Sequence, residues 1–179
     1  KQMISQSGRI EGVAFSAPQS EALAPLLDAL GAVGQPLQGL DSEATAQRFG
    51  LSAGRTEITP FLLGHERIEL IHFPDAPPRH NVDPGPSNTL WFQHVAIVVR
   101  DLLKAAERLA PFVTPISAAP QFLPNGVGAW KFRNACGHAM ELLFFPEGVG
   151  APRWHESGEK LFQGLDHTAI AIADPDRSL

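Results

Sequence analysis

The chain repeats itself, and this constrains its fold more than any other feature, because a duplicated unit must appear as a duplicated piece of structure. The string Gly64-His65-Glu66-Arg67-Ile68-Glu69-Leu70-Ile71-His72-Phe73-Pro74 resembles Gly137-His138-Ala139-Met140-Glu141-Leu142-Leu143-Phe144-Phe145-Pro146, with one extra residue in the first turn. Each reads as a glycine turn feeding a strand that stops at proline. A second string opens each unit: Gly12-Val13-Ala14-Phe15-Ser16, His94-Val95-Ala96-Ile97-Val98 and His167-Thr168-Ala169-Ile170-Ala171. These nearly continuous β-prone runs suit strands covered on both faces.

Helix-start signals follow the opening strings. Asp101 is a good N-cap for Leu102-Leu103-Lys104-Ala105-Ala106-Glu107-Arg108-Leu109-Ala110, whose apolar residues recur at three and four. Asp174 before Pro175 is an equally good start for another helix. Residues 18–30 are rich in leucine and alanine and stop at Gly31, while Pro25 predicts an irregular first turn. The interval from Glu69 to His94 nearly equals that from Glu141 to His167. The chain therefore reads as β-α-β-β-β, a linker, the same again, a second linker, and the start of a third copy. The proline-rich polar stretch Pro77-Pro78-Arg79-His80-Asn81-Val82-Asp83-Pro84-Gly85-Pro86 is the first connector.

Composition removes several classes of function. With 179 residues, 44% of them hydrophobic, the chain can bury a real core. Scattered basic residues and a net charge of −5 leave no electrostatic footprint for nucleic acid or anionic lipid. One cysteine, Cys136, excludes an internal disulfide framework and any cysteine-rich cluster, so a reducing, cytoplasmic location is expected. No apolar run approaches the ~18 residues of a membrane-spanning helix, and residues 1–5 lack the features of a secretory signal.

Three strings then carry a resemblance: Phe92-Gln93-His94-Val95-Ala96-Ile97-Val98-Val99-Arg100-Asp101, Phe132-Arg133-Asn134-Ala135-Cys136-Gly137-His138-Ala139-Met140-Glu141-Leu142, and Gly164-Leu165-Asp166-His167-Thr168-Ala169-Ile170-Ala171. In order and repetition they resemble the vicinal oxygen chelate superfamily, which contains glyoxalase I, bleomycin-resistance proteins and extradiol ring-cleaving dioxygenases. The resemblance implies an α+β fold of paired βαβββ modules forming a curved, cup-shaped mixed sheet. Modules are expected at about residues 8–74 and 90–146 within a domain over 1–146, followed by a linker over 147–163 and an incomplete module from 164 to 179. It further implies a divalent metal, Fe, Mn, Ni or Zn, held by the first and last strands of each module. Carried over by position, the ligand candidates are Glu69, His94, Glu141 and His167, while Gly12 stands where the first module's opening ligand belongs and offers no side chain.

Each candidate has a plainer reading. His94 alone suits a buried, hydrogen-bonded histidine. Glu141, between Met140 and Leu142 in an apolar strand, needs a cation partner or water. Glu69 lies two residues from Arg67 on one strand face and can simply pair with it. Glu11 is a poor replacement at Gly12, since a shift of one residue turns a side chain to the other face. His65 and His138 sit in matching turns, His80 and His155 in linkers. Trp91, Trp130 and Phe132 suit a core better than a substrate cup, and Lys131 and Arg133 suit solvent better than an anionic substrate. Cys136 has no base at fixed spacing.

Lys1 is not an initiator and the third copy has room only for its beginning, so a longer native chain is expected, with His167 in a second cup. Pairing of modules two and three, or completion by a neighbouring chain, are the alternatives. The expected function is a metal-dependent enzyme, a glyoxalase-like lyase or isomerase or a ring-cleaving dioxygenase, acting on a small molecule with adjacent oxygens. The ion would act as a Lewis acid on those oxygens. The rivals are a non-catalytic sequestering module, and a structural half of a longer two-domain enzyme. A small-molecule substrate is the expected partner, and a homodimer is left open.

Overall fold

Alternation along the strands settles how the duplicated units pack. The computed structural model describes residues 10–18, 20–40, 47, 49–50, 54–75, 89–90 and 92–178. The first unit comprises β1 (Gly12–Ser16), a 3₁₀ turn (Ser20–Leu23), α1 (Ala24–Leu30), the short β2 (Val33–Gly34) and β3 (Gln38–Leu40), β4 (Thr56–Leu63) and β5 (Glu66–His72). The second comprises β6 (Phe92–Val99), α2 (Leu102–Leu109), the short β7 (Thr114–Pro115) and β8 (Gln121–Phe122), β9 (Gly128–Arg133) and β10 (Ala139–Phe144). In each, the strand after the helix is split into two short pieces. The long strand β11 (Phe162–Ile170) follows.

The two units have one topology. Sheet order is β1-β5-β4-β2 in the first and β6-β10-β9-β7 in the second, with β3 and β8 on β4 and β9. The opening strand runs parallel to the last strand both times, and the last two strands form an antiparallel hairpin. The expected α+β arrangement of βαβββ modules is what the structure holds.

On β6, Val95, Ile97 and Val99 join a core built from both units, including Phe15, Leu26, Leu27, Ile68 and Leu70 of the first and Leu102, Leu109, Phe132 and Leu142 of the second. The opposite face carries Ala96 and Val98, which pack with Leu143 and Trp154. Helix α2 starts where expected: the Asp101 side chain accepts the Lys104 amide at 3.0 Å, and Leu102, Ala105, Ala106 and Leu109 form the buried stripe. The first helix is irregular, a 3₁₀ turn leading into α1 with Pro25 in its first turn, and Gly31 closes it in the left-handed region. Asp174 accepts the amides of Asp176 and Arg177 in a turn, and no helix follows among the described residues.

Strand β11 opens the third copy and lies antiparallel on the outer edge of β6, so the described part of module three extends the sheet of module two. His167, expected in a second cup, stands instead on a strand that continues the second module's sheet. The expected linker carries structure of its own, a 3₁₀ turn (Pro152–His155) with Trp154 buried. The two sheets are joined at Glu66, which is 1% exposed. Its carboxylate pairs with the Arg153 guanidinium and accepts the Leu165 amide at 3.1 Å, while Arg153 also donates to the Leu165 carbonyl at 2.9 Å. Gly164 permits this approach, because a Cβ there would lie 2.1 Å from Glu66 Oε2. No helix among the described residues is long and apolar enough to cross a membrane. The connector at residues 77–86, with His80, and Trp91 lie outside the described residues.

Candidate metal centre

Two strands of module two set the first pair of side chains. Glu141 of β10 pairs in register with Ala96 of β6, and His94 lies two residues before Ala96, so both side chains leave the sheet on the face opposite the helices. His94 Nε2 lies 3.2 Å from Glu141 Oε2, and both residues are buried.

The third side chain arrives through an irregularity. On β11, Leu165 pairs with Ile97 and Thr168 with Val95, so two residues, Asp166 and His167, oppose the single residue Ala96. Such a bulge re-aims side chains that strict alternation would send to opposite faces. It brings His167 Nε2 to 4.0 Å from Glu141 Oε2, with its ring 5.5 Å from that of His94 at 70°. One ligand atom from each of His94, Glu141 and His167 falls within 4.8 Å of the others.

The donor chemistry fits a divalent ion. Bonds of about 2.0–2.2 Å to one centre place neighbouring ligand atoms about 3–4 Å apart; the two contacts to Glu141 Oε2 measure 3.2 and 4.0 Å, and the three ligand atoms lie within 4.8 Å of one another. His94 Nε2 is buried without a hydrogen-bond partner, since its approach to Glu141 lacks hydrogen-bond geometry. A lone pair aimed at a metal accounts for such an orphaned nitrogen. Burial pushes the Glu141 carboxyl up, but contact with His94 and the nearby His94, Lys131 and His167 outweigh it, leaving the group below its ordinary value and ready as an anionic ligand. Lys131, opposite Glu141 on β9, places its Nζ 3.7 Å from Glu141 Oε1.

Glu69, the remaining candidate, stands on the other sheet, with Oε1 2.7 Å from Arg67 Nε in a half-exposed ion pair. The resulting donor set is two imidazoles and one carboxylate, where the sequence suggests one imidazole and two carboxylates. Gly12 is fixed by packing: a Cβ there would lie 2.4 Å from the Arg67 carbonyl oxygen.

The other side chains take structural places. His138 packs its ring 5.0 Å from Phe15, His65 is exposed, and His155 Nε2 lies 2.6 Å from the Val149 carbonyl. Trp130 and Phe132 belong to the core on the helix side, and Cys136 is buried, which pushes its thiol up. Asp166 and Trp154 escape sequence reasoning. An Asp-His dipeptide on a regular strand points two ways, and Trp154 lies in a stretch that reads as linker.

Neither the protein-family models nor the curated proteins match the sequence. The solved structures give the fold. This chain is similar to a glyoxalase-family protein from Bacillus cereus, with 20% identity over 80% of this chain and 98% of that one, at a TM-score of 0.66. It is also similar to a glyoxylase/bleomycin resistance protein/dioxygenase domain from Frankia sp. EAN1pec, with 19% identity over 81% and 96% and a TM-score of 0.54. A glyoxalase-family protein from Enterococcus faecalis follows, with 16% identity over 75% and 96% and a TM-score of 0.53. The chain therefore shares the fold of these glyoxalase-family structures, as the resemblance implies.

Proposed function

We propose that this chain is a metal-dependent enzyme of the glyoxalase and extradiol dioxygenase type, in which His94, Glu141 and His167 hold one divalent ion and the substrate is a small molecule with adjacent oxygens. The convergence of these three ligand atoms within 4.8 Å, from two copies of the repeat, carries the reading. Two imidazoles and one carboxylate leave coordination positions open and suit Fe(II) first, with Mn(II), Ni(II) and Zn(II) as alternatives. A bound ion would supply Lewis-acid chemistry to two neighbouring substrate oxygens. Beside it, Lys131 brings a positive charge to the carboxylate.

The test is metal stoichiometry. Purified protein stripped of metal and offered each of the four ions in turn, Fe(II) without oxygen, is expected to retain about one ion per chain, and His94→Ala to retain none. Failure with all four ions in the wild type overturns the reading. Oxygen uptake by Fe(II)-loaded protein with catechols separates ring cleavage from glyoxalase-like chemistry.

A sequestering cup without chemistry is the second reading. It is favoured by Lys131, which offers Glu141 a counter-charge without any ion. A protein that stays metal-free yet binds a small molecule at this face would support it.

A further inference from the structure

We infer that Asp166 is a positioning residue that fixes the tautomer of His167, with Trp154 fixing Asp166 in turn. The inference rests on the metal-site reading and deepens it, by assigning the groups that aim one of the ligands.

The geometry is a short relay. Trp154 Nε1 donates to Asp166 Oδ1 at 3.0 Å, and the other oxygen, Oδ2, lies 2.9 Å from His167 Nδ1. A carboxylate only accepts, so a neutral His167 must carry its proton on Nδ1. Nε2 is then the bare nitrogen, and Nε2 is the atom that faces Glu141. The arrangement depends on the bulge, because neighbouring residues on a regular strand point to opposite faces and cannot meet. Trp154 is itself held in place: it is buried with Ala96, Val98 and Leu143, its ring lies 3.8 Å under the Arg153 guanidinium, and Gln163 Nε2 donates to its carbonyl at 3.1 Å.

The relay makes a prediction that a merely structural contact does not. The indole N–H is a donor only. In Asp166→Asn the amide must therefore turn its oxygen toward Trp154, which leaves the amide NH₂ against His167 Nδ1. Nδ1 must then accept, and the proton moves to Nε2, the atom needed for the metal. A substitution of nearly identical shape thus turns the imidazole against the ion. Adding Trp154→Phe removes the donor that orients the amide, so the amide can turn over and present its oxygen to His167 again.

The experiment uses the whole chain with Co(II) as probe and two readouts. Co(II) affinity, followed by visible absorption, is expected to fall by about 10–100-fold in Asp166→Asn, the range for losing a partner behind a ligand. It is expected to recover to within about threefold of Trp154→Phe alone in the double variant. Nitrogen-15 shifts of the His167 ring in metal-free protein at about pH 9, where imidazole is neutral, are expected to show the proton on Nδ1 in wild type and on Nε2 in Asp166→Asn. Unchanged affinity and an unchanged tautomer in Asp166→Asn overturn the inference, as does a double variant as weak as Asp166→Asn. If the wild type takes up neither Co(II) nor any of Fe(II), Mn(II), Ni(II) and Zn(II), the metal-site reading falls, and the tautomer comparison alone decides the role of Asp166.

Discussion

Module one and module two are the same scaffold with different fates. Register makes the comparison residue by residue: Ala14 pairs with Glu69 as Ala96 pairs with Glu141, so Gly12 occupies the place of His94. Across the hairpin, Pro60 pairs with Glu69 where Lys131 pairs with Glu141. In module one the backbone of β5 approaches so closely that a Cβ at residue 12 has no room, and the carboxylate is neutralised by Arg67 from its own strand. In module two, Ala139 stands where Arg67 would be, and the carboxylate meets two imidazoles instead. The lesson is that the fold supplies paired positions on one face, and local packing decides whether they hold an ion, an internal ion pair or nothing.

The comparison can be broken in four places. The largest effect is expected at the seam between the sheets, where Arg153→Ala removes a guanidinium from the buried Glu66 carboxylate and with it the bridge to the Leu165 carbonyl. It should cost about 3–5 kcal/mol in a urea titration, and a smaller loss would mean the modules do not depend on this bridge. Next comes the asymmetry itself. His94→Ala should weaken Co(II) binding by more than about 100-fold, beyond the loss expected from a partner behind a ligand. Glu69→Gln should leave that binding unchanged and shift stability by less than about 1 kcal/mol, as for an exposed ion pair. Equal losses of metal from both variants would erase the distinction between the modules.

At the position equivalent to His94, Gly12→Ala should destabilise by about 1–3 kcal/mol through overpacking against the Arg67 carbonyl, read from the shift in thermal midpoint. A neutral result would show that β1 and β5 have slack. The smallest effect concerns the turn histidine of module two. Burial holds the His138 imidazole below its ordinary value of 6.5, so as pH falls the unfolded chain takes up a proton before the native one. The stability this group contributes is complete above about pH 6.5 and is lost as pH falls toward its native-state value. His138→Gln should flatten that part of the profile in denaturant midpoints measured from about pH 8 to 5, and an unaltered slope would place the titration elsewhere.

Duplication was legible because register and turn chemistry are written locally. Gly64 and Gly137 begin matching hairpin strands, and Asp101 caps its helix through a contact three residues away. His94 and Glu141 were legible through the resemblance, which implies ligands on the first and last strands of each module. Pairing of modules was not, because nothing local says which edge β11 will join. Glu66 shows the difficulty: its partners, Arg153 and the Leu165 amide, are remote in sequence. Asp166 was hidden by strand periodicity itself, which fails where two residues of β11 face Ala96, the middle of three register shifts along this strand pair.

That two-against-one step also sets a sequence in time. His94 and Glu141 leave the ribosome well before β11, which begins at Phe162, so a nascent chain offers two donors until β11 emerges and three afterwards. Binding to the folded state alone adds to its stability by mass action. An ion held at this place would therefore act as a clasp that closes only on chains in which β11 has zipped onto β6, and its retention would report that pairing.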